Sequence, residues 1–162
     1  MLAFCGSLCA PSGCGSQTPE VPIGGILRDA PLTGLNGSPR RLSAYRGRPL
    51  IINVWASWCG PCRLEMKSLE RLAWRPDEQY FAIIGVSTDD SPEQARAFLS
   101  ATHATISQFI DRGRRMENML GASRLPLTVL VGADGQVLDK IYGARQWDGE
   151  AARRLIDRAF HH

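Results

Sequence analysis

The sequence predicts an α/β domain in which helices cover both faces of a mixed β-sheet. Two observations support this prediction. Apolar runs of strand length alternate with stretches whose apolar residues recur at helical spacing, which is typical of strands connected through helices. The chain then closes with two strand-like runs joined by a turn that contains Asp134-Gly135, a hairpin signal, and with one more helix. At 162 residues, the chain is long enough for one domain with a substantial hydrophobic core.

The predicted strands are short, largely apolar runs bounded by turn residues. In chain order they cover residues 26–30, 32–35, 50–56, 81–87, 107–110, 127–131 and 137–142. The first two lie beside the turn residues Asn36-Gly37-Ser38-Pro39, which predicts an opening hairpin or meander. Residues 50–56 are nearly all apolar, as expected of a strand that is covered on both faces.

Four helices are predicted, over residues 61–73, 91–100, 113–120 and the C-terminal stretch that follows Asp148. Pro61 suits the first turn of a helix, where a missing N–H costs nothing. Ser91 and Asp148 are predicted to be the N-caps of the second and the last helix. Gly121 is expected to end the third helix.

Composition and charge argue against several classes of function. The formal net charge is +3 and the Lys and Arg residues are scattered, so there is no basic stripe that would favour nucleic-acid binding. The hydrophobic fraction of 44% and the charged fraction of 22% are ordinary for a soluble globular domain. No segment approaches the roughly 20 apolar residues that a membrane-spanning helix needs.

The first 25 residues are interpreted as a signal-like, lipoprotein-like or flexible segment, and residues 26–162 as the folded domain. Residues 1–10 are mostly apolar and no Lys or Arg precedes Arg28. This pattern resembles an export signal without its basic start, which favours a truncated or mis-assigned beginning. Ser12-Gly13-Cys14-Gly15-Ser16 resembles a lipoprotein cleavage site with Cys14 as the lipidated residue, although Pro11 replaces the usual Leu. The alternative is a disordered tail in which Cys5, Cys9 and Cys14 have no role.

Trp58-Cys59-Gly60-Pro61-Cys62 is the motif that points to a function. Two cysteines at this spacing, between a strand and a helix, can form a disulfide without rearrangement of the backbone. The helix dipole favours a thiolate at Cys59, which is therefore the expected nucleophile, with Cys62 as the buried resolving thiol. The alternatives are a structural disulfide and half of a zinc site. A zinc site needs further ligands, but no cysteine follows Cys62 and the only histidines are His103, His161 and His162.

This motif after a buried strand resembles the thioredoxin superfamily, and the string from Asn53 to Met66 is similar to its TlpA/ResA/CcmG branch. The resemblance covers roughly residues 26–160. It implies a thioredoxin fold with a TlpA-like insertion between the second βα unit and the cis-proline strand, within residues 89–120. It also implies an exported bacterial thiol–disulfide oxidoreductase, periplasmic or anchored in the membrane facing the periplasm, with no organic cofactor and no metal.

The same resemblance assigns a substrate-binding surface. Pro126 stands where thioredoxins have their cis-proline, which would place the backbone of Leu125 beside the nucleophile for pairing with an extended substrate. The alternative is a trans proline that merely begins a strand. The spacer Gly60-Pro61 is the pair that thioredoxins use, and it implies a reducing couple. The expected substrate-binding residues are Trp58, Gly60, Pro61, Leu125 and Pro126.

Glu65 is the candidate proton acceptor for Cys62. It follows Cys62 by three residues, on the helix face that is expected to pack on the sheet, where desolvation would raise its pKa. Ordinary thioredoxins have a buried Asp in the preceding strand, where this chain has Asn53, and ResA-like members carry a carboxylate near the position of Glu65. The alternative is a solvated Glu65 that pairs with Arg63 or Lys67.

The resemblance also implies partners. Protein disulfides would be the substrates, apocytochrome c being typical of the family, and a membrane electron donor of the DsbD/CcdA type would reduce the enzyme again. The protein is expected to be a monomer. A disulfide oxidase or isomerase on the same fold remains open. So do an SCO-like copper-handling module, which uses Cys-x-x-x-Cys and a distant His, and a thiol peroxidase with one reactive cysteine.

Overall fold

The computed structural model describes residues 18–76 and 79–161. Within them, besides one short 3-10 helix at Leu42–Tyr45, the chain forms seven strands and four α-helices. In chain order these are β1 (Pro31–Gly34), β2 (Arg40–Arg41), β3 (Leu50–Trp55), α1 (Gly60–Ala73), β4 (Ala82–Ser87), α2 (Pro92–Thr102), β5 (Ser107–Ile110), α3 (Arg115–Leu120), β6 (Leu127–Val131), β7 (Val137–Tyr142) and α4 (Glu150–Phe160).

The strands form one mixed sheet in the order β2-β1-β5-β4-β3-β6-β7. The central strand β3 runs parallel to β4 and antiparallel to β6, and β5 extends the parallel part on the far side of β4. Every residue of β3 is buried, so the prediction of a strand covered on both faces is confirmed. The extra strand β5 and the helix α3 lie between α2 and β6, in the region predicted for the insertion.

Side chains of β3 alternate between two hydrophobic clusters, one on each face of the sheet. Ile51 and Trp55 belong to the cluster formed with α1, α2 and α4. Ile52 and Val54 belong to the cluster formed with α3 and with the segment before β1. The helices therefore cover both faces, and the predicted fold class is confirmed.

The opening hairpin differs from the prediction. β1 pairs with the short strand β2 across the predicted turn, whereas residues 26–30 form only one isolated bridge, from Ile26 to Gln136. The backbone N–H of Leu27 donates to Gly135 O, and the Leu27 side chain is buried. This segment packs on the turn between β6 and β7 because Leu27 is buried there, and it does not extend the sheet.

One predicted helix cap is confirmed and another is wrong. The Ser91 side chain accepts a hydrogen bond from the Gln94 N–H and caps α2. The N-cap of α4 is Gly149, and no described side chain caps that end. Asp148 instead accepts a hydrogen bond from Arg71 Nε on α1 at 2.5 Å, so a partner distant in sequence displaces the local cap.

Ordered contacts begin upstream of residue 26. Val21 is buried, and its N–H donates to Met119 O at 2.9 Å. The Gly24 N–H donates to Val137 O. The predicted lipidation of Cys14 and the roles of Cys5 and Cys9 lie outside the described residues. Among the helices of residues 18–76 and 79–161, none is long and apolar enough to cross a membrane.

Candidate active site

Cys59 and Cys62 lie at the N-terminus of α1 and form a disulfide, with their Cα atoms 5.4 Å apart. Cys59 is the N-cap of the helix, and its sulfur accepts a hydrogen bond from the Cys62 N–H at 3.3 Å. Cys59 is 6% exposed and Cys62 is 1% exposed. Once the pair is reduced, this N–H and the helix dipole would both favour the thiolate of Cys59, the more accessible residue.

A buried carboxylate holds the turn that leads into the motif. Asp89, just after β4, accepts hydrogen bonds from the Ser57 N–H at 2.9 Å and from the Ser57 hydroxyl at 2.7 Å. It also accepts one from the Ser87 hydroxyl at 2.7 Å. Asp89 is not among the site residues predicted from the sequence. Its position near the motif could have been predicted, because β3 and β4 are parallel and their carboxyl ends meet at the same edge of the sheet.

The two tryptophans near the motif have different environments. Trp58 directly precedes Cys59 and is 74% exposed. Trp55 is fully buried, stacks on Phe98 with ring centroids 4.6 Å apart, and donates from Nε1 to Gln108 Oε1. A cleft of about 410 Å³ separates the active-site turn from α2, and its lining residues are Ser57, Trp58, Arg63, Gln94, Ala97 and Phe98.

The Leu125–Pro126 peptide bond is cis, as predicted. Val54 on β3 pairs with Leu127 on β6, so continuing this antiparallel register brings Pro126 to the end of β3, where the motif begins. The carbonyl oxygen of Pro126 accepts a hydrogen bond from the Gly143 N–H at 2.9 Å. Gly143 has φ +85°, a backbone conformation that favours glycine.

Glu65 is buried on α1, with 1% of its surface exposed. Its Oε1 accepts a hydrogen bond from Trp147 Nε1 at 2.6 Å, and its Oε2 accepts one from Asn53 Nδ2 at 2.9 Å. Burial raises the pKa of Glu65, and the two N–H donors partly oppose that rise. The Arg63 guanidinium lies over the Phe98 ring, 5.0 Å from its centroid. The alternative of a solvated Glu65 is therefore wrong.

Further hydrogen bonds fix the surroundings of Glu65. Asn53 Nδ2 also donates to Thr128 Oγ1 at 3.0 Å, and these two residues are directly paired on β3 and β6. The Trp147 backbone N–H donates to Ser68 Oγ on α1 at 3.0 Å, which ties the loop before α4 to the first helix. Trp147 is not among the site residues predicted from the sequence, because a lone tryptophan in a polar loop belongs to no periodic pattern.

No group of three or more His, Cys, Asp or Glu side chains within residues 18–76 and 79–161 is placed to hold a metal ion. The groups described at the site are two sulfurs, the buried carboxyl group of Glu65 with the amide and indole N–H groups that bind it, and the buried carboxylate of Asp89.

Comparisons with known proteins agree with this geometry. The family model described as Redoxin matches residues 15–156. Thiol-disulfide oxidoreductase ResA of Geobacillus kaustophilus is 32% identical over 128 residues, which cover 79% of this chain and 74% of ResA. Thiol:disulfide interchange protein HelX of Rhodobacter capsulatus is 30% identical over 130 residues, which cover 80% of this chain and 68% of HelX.

A solved structure is also similar. The crystal structure of a putative thiol:disulfide interchange protein DsbE from Chlorobium tepidum aligns with a TM-score of 0.78 and 27% identity. The alignment covers 86% of this chain and 99% of that one. The likeness therefore extends over the sheet and helices that surround the two cysteines.

Proposed function

Because the chain belongs to the redoxin family and is a thiol–disulfide oxidoreductase of the ResA type, we propose that it acts mainly as a reductase of protein disulfides. The observation that carries the proposal is the position of Cys59, whose sulfur caps α1 and accepts the Cys62 N–H. The spacer Gly60-Pro61 supports electron flow from the protein to its substrate. Thioredoxin, which has the same spacer, has a reduction potential of about −270 mV, against about −120 mV for the oxidant DsbA.

The proposed reaction transfers two electrons to a substrate disulfide in two exchanges. The Cys59 thiolate attacks one substrate sulfur, which forms a mixed disulfide and releases the other substrate sulfur as a thiolate. Cys62 then loses its proton, and its thiolate attacks Cys59 Sγ. The Cys59–Cys62 disulfide forms, and the second substrate sulfur leaves as a thiolate. The two substrate thiolates finally take up protons.

Glu65 is the proposed acceptor of the Cys62 proton. Burial raises its pKa above that of an ordinary glutamate, which brings it closer to the pKa of a thiol and makes proton exchange easier. The carboxyl group then returns the proton, to the departing substrate thiolate or to solvent, and is ready for the next turnover.

The proposed substrate-binding surface consists of Trp58, Gly60, Pro61, Leu125 and Pro126. Trp58 presents an exposed aromatic ring beside the nucleophile. An extended substrate segment would pair with the backbone at Leu125, as in other cases of strand addition.

The proposed setting is the periplasm or the outer side of the bacterial inner membrane. A membrane electron donor of the DsbD/CcdA type would reduce the Cys59–Cys62 disulfide after each turnover, and apocytochrome c is the first substrate to test. Mass analysis of the mature N-terminus would determine whether Cys14 is acylated.

Equilibration of the Cys59–Cys62 pair in glutathione buffers tests the direction of electron flow. A potential close to that of thioredoxin is expected, and one close to that of DsbA would contradict a reductase role. Insulin reduction in the presence of dithiothreitol tests the chemistry. Cys59→Ser should abolish the rate increase over dithiothreitol alone, and Cys62→Ser, reduced beforehand and freed of dithiothreitol, should accumulate a mixed disulfide with the substrate. Full activity of Cys59→Ser would refute the assignment of the nucleophile.

A further inference from the structure

One side-chain amide atom of Asn53 is buried without a hydrogen-bond partner among the described residues. Its Nδ2 donates both to Glu65 Oε2 and to Thr128 Oγ1, at 2.9 and 3.0 Å. Its Oδ1 has no hydrogen-bond partner among the described residues, although Asn53 is fully buried. Buried polar atoms are normally paired, so an unpaired carbonyl oxygen beside a titratable carboxyl group requires a reason.

The two protonation states of Glu65 need opposite partners. A carboxylate only accepts hydrogen bonds, and the Nδ2 of Asn53 is then the correct atom to face it. A protonated Glu65 carries an O–H that must donate. Rotation of the amide by a half-turn about its Cβ–Cγ bond would put Oδ1 in the place of Nδ2. There Oδ1 could accept from the Glu65 O–H and from the Thr128 hydroxyl.

We propose that Asn53 is a positioning residue whose amide reverses when Glu65 takes up a proton, so that the carboxyl group stays hydrogen-bonded and in place in both states. This inference rests on the proposed function, in which the proton comes from Cys62. The S–H bond of Cys62 breaks, the proton bonds to a Glu65 oxygen, and the electron pair stays on Cys62 Sγ for its attack on Cys59. Trp147 donates to the other oxygen of Glu65 throughout.

The groups that surround Glu65 favour the Asn53 amide as the partner that changes from hydrogen-bond donor to hydrogen-bond acceptor. β3 and β6 contribute Asn53 and Thr128, neither of which titrates. The loop before α4 contributes a backbone hydrogen bond from Arg145 and the positive charge of its side chain, and both lower the pKa of Glu65. On α1, Cys62 precedes Glu65 by three residues and is the group that loses its proton in the proposed reaction. An ionised aspartate at position 53 could not donate to the Glu65 carboxylate.

Nuclear magnetic resonance of the reduced protein, with Glu carboxyl carbons and Asn side-chain amides labelled, tests the reversal directly. Above the midpoint of Glu65, the Asn53 amide protons should show contacts with Thr128. Those contacts should disappear below the midpoint, with the same titration curve as the Glu65 carboxyl carbon. In Glu65→Gln they should not change with pH. An Asn53 amide whose contacts persist through the titration of Glu65 would overturn the proposal.

Stopped-flow reaction of the reduced protein with 5,5′-dithiobis(2-nitrobenzoate) adds a kinetic test. The first release of thionitrobenzoate reports attack by Cys59, and the second reports resolution by Cys62. Asn53→Leu should slow the second release at least about tenfold near neutral pH and shift its pH profile to higher pH, because the Glu65 carboxylate loses a donor. The first release should not change.

Gln108→Leu is the matched control, because Gln108 is also a buried amide and its described side-chain hydrogen bonds are to Trp55 and Met66. A similar slowing in this control would overturn the proposal. If Glu65→Gln leaves the second release unchanged, the proton-acceptor role fails. If Glu65→Gln slows it while the Asn53 amide does not reverse, only the present inference fails.

Discussion

Replacement of Trp147 by Phe should raise the pKa of Glu65 further. Trp147 is fully buried in the loop between β7 and α4, and its indole Nε1 donates to Glu65 Oε1 at 2.6 Å. Phe keeps an aromatic ring in the core but has no N–H. The change therefore removes the strongest of the hydrogen bonds that stabilise the ionised form of the carboxyl group.

The size of the effect follows from the two states of Glu65. A hydrogen bond to a charged group is worth about 1.5–3 kcal/mol, and one to a neutral group about 0.5–1.5 kcal/mol. The carboxylate therefore loses about 1–1.5 kcal/mol more than the protonated acid does. Since one pKa unit corresponds to about 1.4 kcal/mol, the pKa of Glu65 should rise by about one unit.

Titration of the Glu65 carboxyl carbon by nuclear magnetic resonance in the reduced protein measures this rise. Trp55→Phe is the matched control, because the Trp55 indole is equally buried and donates to the neutral amide oxygen of Gln108 at 2.9 Å. A midpoint of Glu65 that stays constant or falls in Trp147→Phe would refute the reasoning. So would an equal rise in Trp55→Phe.

Three further predictions concern stability. The folded pKa of Glu65 lies above its ordinary value of 4.5, so the stability that its protonated form contributes is complete below about pH 4.5 and is lost as the pH rises through the folded pKa. Thermal unfolding should show this loss in the native protein and not in Glu65→Gln; equal pH profiles would contradict it. Gly85→Ala would place a Cβ 1.9 Å from Gln108 Oε1 and should destabilise the fold by about 1–3 kcal/mol in urea; an unchanged unfolding midpoint would disprove the clash. Asp148→Asn should cost less than about 1 kcal/mol in urea, because its partner Arg71 is 52% exposed; a larger loss would mean that the ion pair is stronger than its exposure indicates.

Much of the fold could be predicted from local patterns. The apolar run at residues 50–56 and the cap at Ser91 depend on neighbours in the chain, and both predictions are confirmed. Predictions failed where a distant partner competes with a local preference. Asp148 pairs with Arg71 on α1 and leaves the end of α4 without a side-chain cap. Residues 26–30 pack on the turn between β6 and β7, so they form no strand of the opening hairpin.

The candidate site likewise combines features that depend on neighbours in the chain with features that depend on distant partners. The spacing of Cys59 and Cys62, at the point where a strand ends and a helix begins, is local, and it was sufficient to predict a redox pair. The position of Glu65 three residues later predicted its burial, since the helical period decides which residues face the sheet.

Only the tertiary structure decided what surrounds that carboxyl group. Trp147 is 82 residues away from Glu65 along the chain, and Thr128 reaches Asn53 only because β6 pairs with β3. Asp89 meets Ser57 because two parallel strands end at the same edge of the sheet. The sequence alone determined which groups can exchange electrons, because that depends on residue type and spacing. Their proton chemistry depends on desolvation and on hydrogen-bond donors, and these come from segments that only folding brings together.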